Sequence, residues 1–275
     1  FACLCCSRAA LCPWHYQRKM KTLLADFHIH TLLSPCAEIE MTPHHIVMRA
    51  AQYGVDAVAI TDHNASANAA AAVEAAKNYG VKVFPGMEVE CREEAHIVVL
   101  FDTLEQLAAW QKIVDANMSG LKNNAERFGA QFIVDDDDNF IAEEERMLLG
   151  PLKLPAAEVI QKVNAMGGMA IAAHVDRPSY SLLMQLGFLP SDMGLAAAEI
   201  SPAGIRELKE QKLKLALGGL NYVTDSDAHM MDSFINGPKN LITVKNLTVA
   251  ELKLALAAED GRSWQPGCFL ENRDY

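Results

Sequence analysis

The chain lacks any run of about 18 consecutive apolar residues, the length that a membrane-spanning helix requires, so no such span is expected. It is also short of positive charge. Its 24 Lys and Arg face 35 Asp and Glu, a formal net charge of −11. That balance argues against an electrostatic grip on long nucleic acid. A small anionic substrate stays open, because bound divalent cations reverse the local field. Cysteine is scarce outside the N-terminus: four of seven are Cys3, Cys5, Cys6 and Cys12, leaving Cys36, Cys91 and Cys268. The body therefore has no disulfide framework, the pattern of a reduced, cytoplasmic protein. A glycine-rich dinucleotide loop is missing too, which disfavours a doubly wound nucleotide-binding sheet.

What is present fills a single barrel. The chain has 275 residues, 51% of them hydrophobic, enough for a substantial core. Residues 1–19 are set aside as an upstream or appended tail, because Met20-Lys21-Thr22-Leu23-Leu24 opens a fresh segment that runs into a strand. The rival for the tail is a zinc site on Cys3, Cys5, Cys6, Cys12 and His15, whose spacing fits no common zinc pattern. Residues 20–275 form the domain.

From Leu23 short apolar strands alternate with amphipathic or alanine-rich helices. Strands are expected at Leu23–Ile29, Asp56–Thr61, Val81–Phe84, Met87–Glu90, His96–Phe101, Met169–Ala173, Ala196–Ile200, Tyr222–Thr224 and Leu241–Val244. Helices follow at Thr42–Tyr53, Ala67–Tyr79, Thr103–Met118, Ala156–Met166 and Ile205–Leu215, and after Thr248, where Glu251 completes a capping box. Buried, non-alternating strands in this rhythm imply a parallel sheet, and about seven units suggest an α/β barrel. Residues 119–153 break the rhythm with the acidic run Asp135–Asp138 and the cluster Glu143–Glu145. They form an insertion between barrel units, placed to cover the site as a lid. A calcium loop is the alternative, but the required glycine and ligand periodicity are missing.

Ionisable residues collect at the strand ends. Asp26, His28 and His30 alternate on one strand and share a face. Asp62-His63 follows the second strand, Glu88 lies after Pro85-Gly86, and His96 opens a strand. His174 closes another, and Asp227 with His229 follows Tyr222–Thr224. Singly, each has a bland alternative: Asp62 as a helix cap, Glu88 as a surface bridge to Arg92 or Lys82, a lone His as a hydrogen-bonded residue. Together, six of nine His fall where a parallel barrel converges. An imidazole and carboxylate set suits Zn, Mn or Fe.

The ordered motifs Asp26-Phe27-His28-Ile29-His30, Thr61-Asp62-His63-Asn64, Gly86-Met87-Glu88, Ala173-His174 and Ser226-Asp227-Ala228-His229 resemble those of the PHP (polymerase and histidinol phosphatase) family of metal-dependent phosphoesterases. The resemblance covers nearly all of Met20 to about Ala258. It implies a distorted (β/α)7 TIM-like barrel with two to three divalent ions at the C-terminal ends of the strands. By that resemblance one ion rests on His28, His30, Glu88 and Asp227. Glu88 bridges to a second ion on His96 and His174, and a third sits on His63 and His229. One position departs from the pattern: Pro35 stands where relatives carry an Asp for the third ion. Glu38, or else Glu40, is the expected substitute; Cys36 is a softer candidate, expected first as a small buried residue.

The implied activity is hydrolysis of phosphate esters of small molecules, nucleotides or short oligonucleotides first, through a metal-bridging hydroxide. Arg177 and Asp227 are the expected catalytic residues; Arg177 either forks onto phosphate or pairs with Asp176 or a lid carboxylate. Asp26 and Asp62 are expected to orient ligand imidazoles. The alternatives are a histidinol-phosphate-type phosphomonoesterase and a non-catalytic metal-stabilised binding module.

Overall fold

The computed structural model describes residues 19–190, 192–201, 203–204 and 215–270. The N-terminal tail with its zinc alternative, and nearly all of the helix expected over Ile205–Leu215, lie outside the described residues. The strands are β1 Lys21–Ile29, β2 Ala57–Ile60, β3 Lys82–Glu90, β4 His96–Leu100, β5 Phe132–Val134, β6 Phe140–Glu143, β7 Met169–Ala172, β8 Ala197–Glu199, β9 Tyr222–Val223, β10 Lys239–Val244 and β11 Ser263–Cys268. Nine of them form one mixed sheet in the order β11-β10-β1-β2-β3-β4-β7-β8-β9, and β5-β6 is a separate hairpin. The sheet curls into a nearly closed α/β barrel, the distorted barrel expected.

The barrel closes where the chain after β9 returns to β1. Ala228 pairs in parallel with Ile29, and His30 N donates to Ala228 O at 2.9 Å. Below this, Phe27 N donates to Asp225 Oδ1 at 2.6 Å and Ser226 N to Asp26 Oδ1 at 3.1 Å. Lys239 Nζ, wholly buried, lies 2.9 Å from Asp26 Oδ2. Charged groups at a closed seam must pair, because each alone would cost several kcal/mol.

Two expectations need correction. Val81–Phe84 and Met87–Glu90 are not separate strands about a tight turn: β3 runs unbroken through Pro85 and Gly86. Pro85 lacks an amide proton but accepts from Phe101 N at 2.9 Å. Gly86 suits the strand because a Cβ there would lie 2.9 Å from Val99 O. Nor is the sheet all parallel. β4 is antiparallel to both β3 and β7, because only residues 91–95 join β3 to β4, too few for a crossover helix. β10 pairs antiparallel with β1 and with β11; β11 was not anticipated.

The helices are α1 Pro43–Gln52, α2 Ala69–Ala75, α3 Leu104–Asp115, α4 Ala125–Phe128, α5 Ala156–Ala165 and α6 Leu182–Leu186, followed later by Met231–Asn236 and Val249–Leu256. Thr42 and Thr103 cap α1 and α3, the latter with the full reciprocal box through Gln106. At Thr248 the box is half made: its hydroxyl takes Glu251 N at 3.3 Å, while the Glu251 carboxylate turns to Arg262 Nη2 at 2.7 Å. The apolar core follows the barrel. Phe27, Phe84, Val98, Ile171, Val223 and Ile242 form one wholly buried cluster contributed by six strands.

The insertion carries α4 and the β5-β6 hairpin. Buried Asn68 ties it to the barrel, donating to Phe132 O at 3.1 Å and accepting from Val134 N at 3.1 Å. Its acidic run does not face the strand-end ligands. Asp138 accepts from Thr42 Oγ1 at 2.5 Å and His44 N at 3.1 Å, clamped onto the start of α1.

Candidate metal centre

The C-terminal ends of the parallel strands deliver His28 and His30 from β1, His63 after β2 and His174 after β7. Asp227 and His229 come from beyond β9. His96 reaches the same rim because β4 is antiparallel: the first residue of an inverted strand lies level with the last residues of its neighbours. Three groups of these donors converge, each within 4.8 Å: His30, His63 and His229; His28, His30 and Asp227; His63, Glu88 and His96.

Glu88 is the hub. Its Oε1 lies 2.9 Å from His96 Nδ1, 3.1 Å from His174 Nε2 and 3.3 Å from His28 Nε2. Its Oε2 lies 3.0 Å from His63 Nδ1 and 3.4 Å from His30 Nε2. Asp227 Oδ1 lies 3.3 Å from Nε2 of both His28 and His30. Burial would raise the Glu88 carboxyl, but the charges of His96, His28 and His63 hold it well below the usual carboxylate range. Asp227 is likewise held down against burial, first by the His28 charge. His28 and His63 are raised well above 6.5, their carboxylate neighbours overcoming burial. His30 goes the other way, lowered by burial and by His229 and His63 beside it.

These residues fit divalent ions. Two donors bound to one ion at about 2.1 Å lie roughly 3.0–3.4 Å apart, and the Nε2 atoms of His28 and His30 are 3.1 Å apart. Glu88 Oε2, Asp227 Oδ1 and His174 Nδ1 are buried without a hydrogen-bond partner, a cost that a cation on the carboxylate oxygens would remove. Two of the residues concerned also sit at strained backbone, His174 at φ 27° and Asp227 at φ 46°, a conformation that non-glycine residues adopt at some energetic cost.

The outer partners fix which ring nitrogen faces inward. His28 Nδ1 bonds Glu199 Oε2 at 2.8 Å, leaving Nε2 for the cluster. The same Glu199 oxygen accepts from His174 N at 3.1 Å. Glu199 was missed from the sequence, where it is one carboxylate inside an apolar strand; a buried acid on β8 was the only signal. Asp62 acts at one remove: Ser34 Oγ donates to it at 2.7 Å and lies 3.0 Å from His30 Nδ1. Asp26 touches no ligand ring. The β1–β2 register shifts between Asp26 and Ile29, which breaks the expected alternation and leaves Asp26 to Lys239 and Ser226.

At the third corner the sequence expectation and the geometry part. Glu38 is exposed; its N donates to His229 O at 2.8 Å, but its carboxylate is not among the converging donors. Glu40 is exposed too, its Oε1 accepting from Met231 N at 3.4 Å. Cys36 is exposed as well, not the small buried residue expected, but it lines the cavity beside His63 and His229. Desolvation pushes its thiol up, but bonds to His229 and His63 outweigh that and bring it to about 6.

The centre opens into a cavity of about 610 Å³, walled by Glu90, Glu94, Tyr180 and Arg177, and by Phe128, Leu149, Gly150 and Pro151 of the insertion. The insertion thus covers the site with its ends, not its acidic run. Arg177 Nη1 lies 2.6 Å from Asp227 Oδ2; Asp176 is engaged elsewhere, by Ser201 N and Oγ. Tyr180 stacks on His96, ring centres 4.7 Å apart.

Residues 26–185 match the PHP domain. The chain belongs to that family. It is a metal-dependent phosphoesterase-like protein, and the candidate donors Asp227 and His229 lie beyond the matched stretch. The DNA polymerase III PolC-type of Caldanaerobacter subterraneus subsp. tengcongensis is 33% identical over 98 residues, which is 36% of this chain and 7% of the polymerase. The chain therefore spans a small fraction of that relative. In fold it is similar to the lesion-specific endonuclease EndoQ of Pyrococcus furiosus, with TM-score 0.67 and 20% identity over 92% of this chain and 60% of the endonuclease. It is also similar to a protein of Bifidobacterium adolescentis assigned as a metal-dependent phosphoesterase, with TM-score 0.53 and 24% identity over 74% of this chain and 87% of that one. No described helix is long and apolar enough to cross a membrane, and Cys36, Cys91 and Cys268 are free thiols.

Proposed function

We propose that this PHP-family protein hydrolyses phosphate esters of nucleotides or short oligonucleotides in a two- or three-ion centre. Glu88 carries the reading: one buried carboxylate stands 2.9–3.4 Å from five imidazoles. That is a place for a ligand shared between ions. Divalent ions bound here lower the pKa of a bound water and polarise phosphoryl oxygens.

The chain's own residues supply the rest. His28 Nδ1 gives its proton to Glu199, so that Nε2 stays a lone-pair donor towards Glu88 and Asp227. Arg177, on the cavity wall, places a fixed positive charge where an anionic substrate enters, and Asp227 orients its guanidinium. Tyr180 and Phe128 add half-exposed rings to the wall, which suit stacking against a base. Glu90 and Glu94 on the same wall oppose a dianion more than a monoanion, which favours a phosphodiester over a monoester such as histidinol phosphate.

The second reading is cleavage of damaged DNA. It draws on the fold shared with EndoQ, whose structure holds a 27-mer duplex with an abasic lesion at the active site. The net charge of −11 weighs against a duplex here. Turnover with Mn²⁺ should therefore be measured on an aryl phosphodiester, an aryl phosphomonoester, dinucleotides and an abasic duplex. The expected order is dinucleotide and diester above monoester, with the duplex uncut. Cleavage of the duplex alone would replace this reading by the second. No cleavage of any of them by ion-loaded protein would leave the binding module.

A further inference from the structure

We propose that Cys36 supplies a thiolate ligand to the ion at the His63–His229 corner, in the place of the aspartate that Pro35 displaces. The inference rests on the metal-centre reading above and adds to it the donor chemistry of one corner. Three imidazoles, His30, His63 and His229, bring lone-pair donors within 4.8 Å of one another there. Three such donors cannot satisfy one another and call for a cation. Glu88 Oε2 faces the same corner, wholly buried, 3.0 Å from His63 Nδ1 and 3.4 Å from His30 Nε2, with no hydrogen bond of good geometry. It is a further buried donor atom facing this corner with no hydrogen bond.

The backbone sets Cys36 there. Ser34 N donates to Thr31 O and Ala37 N to Ser34 O, both at 2.9 Å, and Glu38 N donates to His229 O at 2.8 Å. This tight turn sets residue 36 beside the His229 loop, where it lines the cavity with His63 and His229. The same turn carries Glu38 and Glu40 out to solvent. Cys91 cannot serve, since it is buried in the apolar core beside Val89 and Ile97. On binding, the sulfur–metal bond forms as the thiol proton passes to solvent. A thiolate with imidazoles is a softer set than the carboxylate it replaces. It shifts this corner towards Zn²⁺ or Co²⁺ and away from Mn²⁺ or Mg²⁺.

Cobalt tests this directly, because thiolate bound to Co²⁺ produces a near-ultraviolet charge-transfer band that imidazole and carboxylate do not. Replacing Cys3, Cys5, Cys6 and Cys12 by Ser in the full chain removes the N-terminal thiols as competing ligands. Loaded with Co²⁺, it should bind three ions and show the band. Adding Cys36→Ser should abolish the band and reduce the count from three to two. Cys36→Asp should restore the third ion without the band, which also shows that the corner still folds. A band absent from the starting protein, or surviving Cys36→Ser, overturns the assignment while leaving the other ions intact. Failure to bind cobalt at all overturns the metal-centre reading itself.

Discussion

The two oxygens of Glu88 face two differently built halves of the centre. On the Oε1 side stand His28 from β1, His96 from β4 and His174 at the end of β7, rings delivered by or directly after paired strands. On the Oε2 side, His30 follows β1 and His63 follows β2, while Cys36 and His229 sit on turns, and the side chain of His229 is 25% exposed. Strand-borne ligands are fixed by ladder hydrogen bonds and cannot exchange places. Turn-borne ligands can be replaced by a neighbour at small cost to the barrel. Pro35, the one departure from the motifs that the sequence resembles, falls on the turn side.

Four measurements break or sharpen that contrast. Glu88→Gln strikes both halves, since it leaves one carbonyl oxygen and an amide where two carboxylate oxygens stood. Ion content and turnover should fall together, turnover by about 10³-fold, as expected when several kcal/mol of charge stabilisation go. Unchanged stoichiometry would show that Glu88 is not shared. Glu199→Ala strikes only the strand side by freeing the His28 ring. It should weaken ion affinity by about 10–100-fold, and equal loss at the Cys36 corner would erase the distinction between halves.

The third measurement uses pH. Without ions, His28, His63, His96 and His229 have pKa values raised above 6.5. Their pairing with carboxylates stabilises the fold fully below 6.5 and is lost as pH rises through the raised values; His30 works in the opposite sense. The Tm of ion-free protein should thus fall as pH rises above about 6.5, while the rise in Tm on adding Zn²⁺ should grow in the same direction as ligands lose protons. A Tm of ion-free protein that climbs with pH would reverse the assigned charges. The smallest effect is expected from Thr42→Ala. It removes the α1 cap and the Asp138 clamp far from Glu88, costing about 1 kcal/mol of stability with turnover unchanged; altered turnover would make the acidic run part of the site.

Much of this centre was legible because its chemistry is concentrated in few residue types. His-x-His at the end of an apolar strand and Asp-x-His near the other end of the domain are rare enough to signal a closed barrel. Three things were not legible. Pro85-Gly86 looked like a turn, but the pair is accommodated in β3 because Gly86 permits close approach to Val99. The direction of β4 depends on the shortness of the 91–95 connection, and it alone explains how a residue opening a strand joins ligands that close others. Cys36 was passed over in favour of charge: Glu38 offered a carboxylate, but the backbone turn leaves Cys36, and not Glu38, lining the cavity beside His229.

The central claim is that Glu88 is shared between ions. Anomalous difference density from crystals loaded with Zn²⁺ or Mn²⁺ tests it most directly. The account predicts separate maxima that both lie beside the Glu88 carboxylate, one towards His96 and His174 and one towards His28, His30 and Asp227. A single maximum, or maxima that avoid Glu88, would contradict it.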